Sequence, residues 1–234
     1  MPVTPVMTNV KENLEVLRAR IDQAAQKSGR TGQDVTLVAV TKGAAIPAIL
    51  EAQKEGVQIF AENRVQDAQE KIPAIPGAEW HMIGHLQTNK IKTALGLFQC
   101  VQSVDSVRLA TELNAELVLE NRLLPVLLEV NISGEKQKFG FEPEQIYSAV
   151  DEIKKLTQLE VRGVMGLAPN TDDGQARRAS FKKLRGVFTV LKSMKGDRFQ
   201  MKYLSMGMSD DLEAAIEEGS NMVRVGRALF ARKK

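Results

Sequence analysis

The chain has 234 residues, 26% of them charged and 43% hydrophobic, with a formal net charge of +3 at pH 7. That balance fits one globular domain over 1–234 and gives no electrostatic reason for a nucleic-acid partner. The single cysteine, Cys100, excludes an internal disulfide and suits a reducing, cytoplasmic setting; no basic-then-apolar leader and no bilayer-length apolar stretch points to a membrane.

Residues 1–8 read as a flexible start. Val10, Leu14, Leu17, Ile21 and Ala24 then recur at helical spacing, with Asn9 and Glu12 placed as a capping box and Gly29 as the stop. The run VTLVAVTK, 35–42, reads as a strand buried on both faces that ends on Lys42. A helix to Gly56 follows, then a short strand at 57–61 running into Glu62, Asn63 and Arg64, a helix to Lys71, and a third strand at 80–83 ending before Gly84 and His85. Further pairs are a helix at 88–95 with a strand at 98–104, a helix at 106–121 with a strand at 124–130, and a helix opened by Glu142 and Pro143 with a strand at 159–167. A long helix at 173–194, a strand at 201–205, a helix at 209–218 and a strand at 221–225 complete the pattern.

Eight strands alternating with helices predict a parallel α/β sheet, closed as a (β/α)8 barrel, the TIM barrel. An open doubly wound sheet is the competing fold, and no Gly-x-Gly-x-x-Gly opens the helix after the first strand to favour it. The N-terminal helix is expected to cover the barrel wall near the eighth strand.

In such a barrel the site collects at the C-terminal ends of the strands, where Lys42, Asn63, His85, Ser103, Asn131, Met165, Ser205 and Gly226 stand. No carboxylate pair for glycoside hydrolysis is among them. His81 and His85 lie on a strand and its turn, about 13 Å apart, too far to share a metal ion. Small residues at Ser205, Gly207, Ser209 and Gly226 allow backbone N–H groups to approach an anion, and a helix starting at Ser209 would add its dipole. Alternation sets Arg224 and Gly226 on the face opposite Val223 and Val225; if that face is inward, Arg224 takes either a carboxylate or a ligand. A lysine, a phosphate cradle and an inward arginine suit a carbonyl ligand bearing a phosphate: pyridoxal 5'-phosphate, or the phosphorylated substrate of a Schiff-base aldolase.

The motifs VAVTK, FAENRVQ, WHMIGHLQTNK, QSVDS, LLEVNISGEKQKFG, LSMGMSDD and GSNMVRVGRALF, in that order, resemble the YggS/PROSC family of pyridoxal-phosphate-binding homeostasis proteins over nearly the whole chain. The resemblance implies a fold-type III barrel similar to the N-terminal domain of alanine racemase, without the racemases' C-terminal β-domain. It also implies cofactor held as a Schiff base on Lys42. Ser205, Gly226 and Arg227 would contact the phosphate largely through backbone, Arg224 would face the pyridine nitrogen, and Asn63, His85 and Met165 would surround the ring. Ala61 and Gly166 depart from the family's usual glycine and threonine.

The implied role is a non-enzymatic carrier in vitamin B6 and amino-acid balance, monomeric, with cofactor-accepting enzymes or a regulatory protein as partners. An amino-acid racemase using Lys42 and a second base such as His85 is the alternative. The basic helix face Arg177, Arg178, Lys182 and Lys183 reads as solvated rather than as a docking surface.

Overall fold

The computed structural model describes residues 9–135 and 137–231, so the start expected to be flexible, 1–8, lies outside the described residues. Eight strands, β1 (Thr36–Val40), β2 (Ile59–Glu62), β3 (Glu79–Met82), β4 (Cys100–Val104), β5 (Leu124–Val130), β6 (Leu159–Gly166), β7 (Phe199–Ser205) and β8 (Met222–Val225), form a closed parallel barrel in sequence order. β8 closes on β1 with Val38 opposite Arg224. The helices are α1 (Val10–Gln26), α2 (Ile46–Lys54), α3 (Val65–Lys71), α4 (Ile91–Leu95), α5 (Val107–Leu119), α6 (Ile146–Ile153), α7 (Gly174–Ser193), α8 (Leu212–Glu217) and α9 (Arg227–Phe230).

Local chemistry accounts for several boundaries. Ser106 accepts from the Leu109 N–H at 3.2 Å and starts α5, and the Asp173 carboxylate accepts from the Gln175 and Ala176 amides and starts α7. At the head of α1 the expected capping box does not form, because the Asn9 side chain makes no cap bond. α1 packs on α2, α8 and α9, as expected for a helix covering the β8 wall. Asn13 bonds the Leu229 carbonyl at 3.0 Å and Arg20 pairs with Glu213 at 2.6 Å across that seam.

Two cores result. The larger lies between sheet and helices and holds Phe60, Trp80, Leu113 and Phe181. A smaller one inside the barrel holds Val38, Ala61, Leu127, Met165 and Met222. This inner set fixes which strand positions face the axis: Arg224 shares the parity of Met222, and Glu129 that of Leu127. No helix among the described residues is long and apolar enough to cross a membrane.

Candidate functional site

At the C-terminal end of β1, Lys42 continues the inward parity of Val38. Its amine is exposed and makes no hydrogen bond or ion pair among the described residues. The residue before it is tied down on the other face. The Thr41 hydroxyl donates to Glu62 Oε1 at 2.6 Å, the Thr41 carbonyl accepts from Lys71 Nζ at 2.7 Å, and Lys71 Nζ meets Glu62 Oε1 at 2.5 Å. Glu62 is wholly buried, so this ion pair is sealed between sheet and helices directly behind Lys42.

Asn63 follows at the end of β2, and its Oδ1 is buried without a partner. An orphaned acceptor costs roughly 1–3 kcal/mol, which a ligand donor or a water would relieve. His85, past the end of β3, bonds Asp105 Oδ2 through Nδ1 at 2.7 Å, and its ring stacks on Phe139 at 3.7 Å between centroids and 8° between planes. Phe139 belongs to the 131–141 loop, which Asn131 organises by accepting from the Ser133 hydroxyl at 2.9 Å and donating to the Glu135 carbonyl at 3.0 Å. Asn131 is therefore a loop residue rather than a ligand of the mouth. Ser103 likewise serves structure, donating to the Gly84 carbonyl at 2.6 Å.

On the far wall Arg224 points inward and is buried. Nη1 donates to Ser205 Oγ at 2.6 Å and Nη2 to the Gly166 carbonyl at 2.9 Å, so both direct partners are neutral. Burial draws the guanidinium down to about 10, while the charges of Glu129 and Asp211 oppose that shift. Glu129, on β5, is buried at the same end, and none of its side-chain atoms is hydrogen-bonded among the described residues. Burial, and secondarily Asp105, pushes its carboxyl up to about 7 against the pull of Arg224. Met165, opposite both Glu129 and Ser205 in register, fills the floor.

The loops after β7 and β8 come together, with Arg224 N–H on the Gly207 carbonyl at 3.0 Å. Gly207 has φ +98°, and a Cβ there would stand 2.6 Å from Ala215 Cβ; one at Gly226 would stand 2.9 Å from the Val40 carbonyl oxygen. Neither position has room for a side chain: a Cβ at the buried Gly207 would run into Ala215 and Leu212, and one at Gly226 into Val40, so glycine lets these two loops pack closely on α8 and β1. One expectation needs correction. The helix expected from Ser209 begins at Leu212, because the Asp211 carboxylate turns back to the Met208 N–H at 2.6 Å, so no helix dipole ends at Ser209. The Arg227 side chain is exposed and paired with Asp210, which leaves only its backbone for an anion.

The mouth thus gathers Lys42, Asn63, His85, Met165, Ser205, Gly207, Arg224, Gly226 and the backbone of Arg227 at one end of the barrel. A concavity of about 430 Å³ lies at the opposite end between α1, β1 and β2. Its charged groups are already engaged, Arg18 by the Glu55 carbonyl and Asp22 by the Gly32 amide.

The family described as alanine racemase, N-terminal domain, matches residues 12–233. A relative from Vibrio cholerae named pyridoxal phosphate homeostasis protein is 37% identical, over 97% of this chain and 98% of its own. This chain belongs to the pyridoxal phosphate homeostasis protein family. Among solved structures, that of PipY from Synechococcus elongatus with PLP bound has a TM-score of 0.82 and 30% identity over 95% of this chain and 100% of its own. An alanine racemase from Clostridium difficile, at 15% identity and a TM-score of 0.73, shares the fold; this chain covers 59% of it.

Reading the strand ends missed three members of the barrel's polar framework: Glu129, Gln102 and the Glu62–Lys71 brace. For the first two the signal was present. Gln102 alternates with Cys100, and Glu129 with Leu127, so inward parity could have been assigned to them as it was to Arg224.

Proposed function

We propose that this protein binds pyridoxal 5'-phosphate, holds it through a Schiff base on Lys42, and keeps it available within the vitamin B6 and amino-acid economy without itself catalysing a reaction. The observation that carries the reading is an unpartnered lysine amine at one side of a barrel mouth whose other side presents a buried arginine bonded only to neutral groups. The residues fit the cofactor. Asn63 offers a buried acceptor in need of a donor, the Gly207 and Gly226 loops offer an anion cradle, Met165 and His85 flank the space between, and Arg224 offers N–H groups to a ring nitrogen.

When bound, the cofactor supplies an aldehyde for amines and, with its ring nitrogen protonated, an electron sink. Arginine donates and does not accept, so Arg224 favours the unprotonated nitrogen and a weak sink. A racemase needs an acid/base on each side of the substrate carbon. Here His85 is engaged by Asp105 and covered by Phe139, Tyr147 lies on α6, and Tyr203 lines the opposite end of the barrel. A cytoplasmic monomer serving cofactor-accepting enzymes or a regulatory partner completes the reading. Of the exposed apolar residues, Val16, Leu50 and Val190 stand singly on three helices, while Val118, Leu119 and Leu123 gather around the end of α5.

The test is the visible spectrum with added pyridoxal phosphate. The parent should show a band that borohydride removes, and Lys42→Ala should lack it. A parent that stays colourless overturns the reading, and Lys42-dependent exchange of the α-proton of alanine would overturn its non-catalytic part.

A further inference from the structure

A hydrogen-bonded chain crosses the barrel interior from the arginine to the opposite end. Arg224 Nη1 lies 2.6 Å from Ser205 Oγ, Ser205 Oγ 2.7 Å from Gln102 Oε1, Gln102 Nε2 2.7 Å from His81 Nδ1, and His81 Nε2 2.9 Å from Glu79 Oε1. The inner members are all buried: Gln102 and Ser205 fully, His81 and Arg224 at 3% exposure each.

Donor and acceptor capacity fixes its direction. A guanidinium only donates, so Ser205 accepts from Arg224 and gives its own proton to the Gln102 carbonyl oxygen. The Gln102 amide nitrogen then donates to His81 Nδ1, which must carry no proton. His81 therefore bears its proton on Nε2 and donates it to the Glu79 carboxylate. One other arrangement satisfies every pair. Adding a proton at His81 Nδ1 turns the Gln102 amide over, so that Oε1 accepts from the imidazolium and Nε2 donates to Ser205 Oγ. Ser205 then receives two donors, and its hydroxyl proton is released to point elsewhere.

We propose that His81 and Gln102 are positioning residues for the mouth of the barrel, and that protonation of His81 reverses this chain and frees the Ser205 hydroxyl to donate to a bound anion. No atom is gained or lost beyond the one proton taken from solvent. Its entry is at the N-terminal end, where Glu79 is half exposed beside a cavity of about 150 Å³. The titratable and charged groups facing His81 there are Glu79 on its own strand, Cys100 from β4, Arg162 with its partner Glu160 from β6, and Lys202 and Tyr203 from β7. Cys100 takes no part, since burial pushes its thiol far up. Arg162 and Lys202 are cationic, and Glu79 is the carboxylate bonded directly to the ring. The effect on the cofactor rests on the pyridoxal phosphate reading; the hydrogen-bond pattern itself does not.

The experiment has two arms. In the cofactor-free protein, nitrogen NMR of the two histidines, assigned with a His85→Asn variant, should show His81 as the Nε2–H form at pH 8. The Gln102 side-chain amide signals should shift with the same midpoint as His81 when the pH is lowered. Gln102→Glu, which presents an acceptor to both neighbours, should raise that midpoint by at least one pH unit. An Nδ1–H form at pH 8, or Gln102 signals that ignore the His81 titration, overturns the proposal using the wild-type protein alone. In the second arm, the pH dependence of the pyridoxal phosphate dissociation constant is compared between wild type and Gln102→Leu. Wild type should gain at least about threefold in affinity relative to the variant as His81 protonates. Identical profiles overturn the inference and leave the binding reading standing, whereas a wild-type protein that binds no pyridoxal phosphate fails that reading while the first arm still decides the chain.

Discussion

Replacing Glu129 by glutamine should stabilise the cofactor-free protein at alkaline pH and leave it nearly unchanged in acid. The Glu129 side chain is buried at the end of β5, has no hydrogen-bond partner among the described residues, and holds its proton up to about pH 7 because burial disfavours the charge. In the unfolded chain a glutamate releases its proton near pH 4.3. The folded value is the higher one, so the group's favourable contribution is whole below about pH 4 and is lost as pH rises through 7. At about 1.36 kcal/mol per pH unit, that interval is worth roughly 3–4 kcal/mol. A glutamine at this position is a neutral isostere that never ionises, so Glu129→Gln should gain under about 1 kcal/mol at pH 4.5 and roughly 3–4 kcal/mol at pH 8.5. The attraction between ionised Glu129 and Arg224 is already contained in the folded value, which it lowers. Urea unfolding of both proteins across this range reads the difference directly. A difference that does not change with pH, or a variant less stable than the parent at pH 8.5, would refute the reasoning.

Breaking the buried pair behind Lys42 with Lys71→Met or Glu62→Leu should cost about 3–5 kcal/mol each, and the double variant should cost less than either because no charge is left stranded; urea unfolding of the three proteins checks this. Gly207→Ala, which forces a side chain into a positive-φ position 2.6 Å from Ala215 Cβ, should lose about 1–3 kcal/mol of stability and weaken binding of pyridoxal phosphate, read by unfolding and by titration. Phe139→Ala should move the His85 ring proton signals downfield in NMR spectra, since the stacked ring at 3.7 Å currently shields them; unchanged signals would mean that the stack does not persist in solution.

The barrel was legible because its signal is periodic. Apolar strands alternating with helices recurred eight times, and each strand boundary fell within a few residues of the observed one, with β5 matching at both ends. The site was legible where a residue's type and its strand parity agreed: Lys42 and Arg224 carry charges on inward positions, which core packing alone would not retain. It was less legible where loops decide. Whether Ser209 or Leu212 begins α8 depends on the Asp211 carboxylate choosing the Met208 amide over the helix, a competition between two short-range bonds that propensity does not resolve. Ser103 and Asn131 satisfied the same polar-strand-end criterion as Asn63, yet their partners are neighbouring backbone groups, and only the folded loops reveal that.

The interior divides its charges in a way that follows from the two kinds of group it must hold. On the proposed function Lys42 has to remain unpaired at the mouth, and the charges that brace its strand end stand on the other face, where Glu62 and Lys71 satisfy each other and the Thr41 backbone away from water. On the same proposal Arg224 has to remain charged yet able to donate forward; its two direct contacts are a hydroxyl and a carbonyl, while the acids that offset its charge, Glu129 and Asp211, act without bonding it. A carboxylate bonded directly to Arg224 would hold its N–H groups in a fixed fork and leave less for a ring nitrogen. Burial costs the arginine some of its basicity, neutral partners keep its donors exchangeable, and the same choice extends the Ser205 contact into the chain that ends at His81 and Glu79.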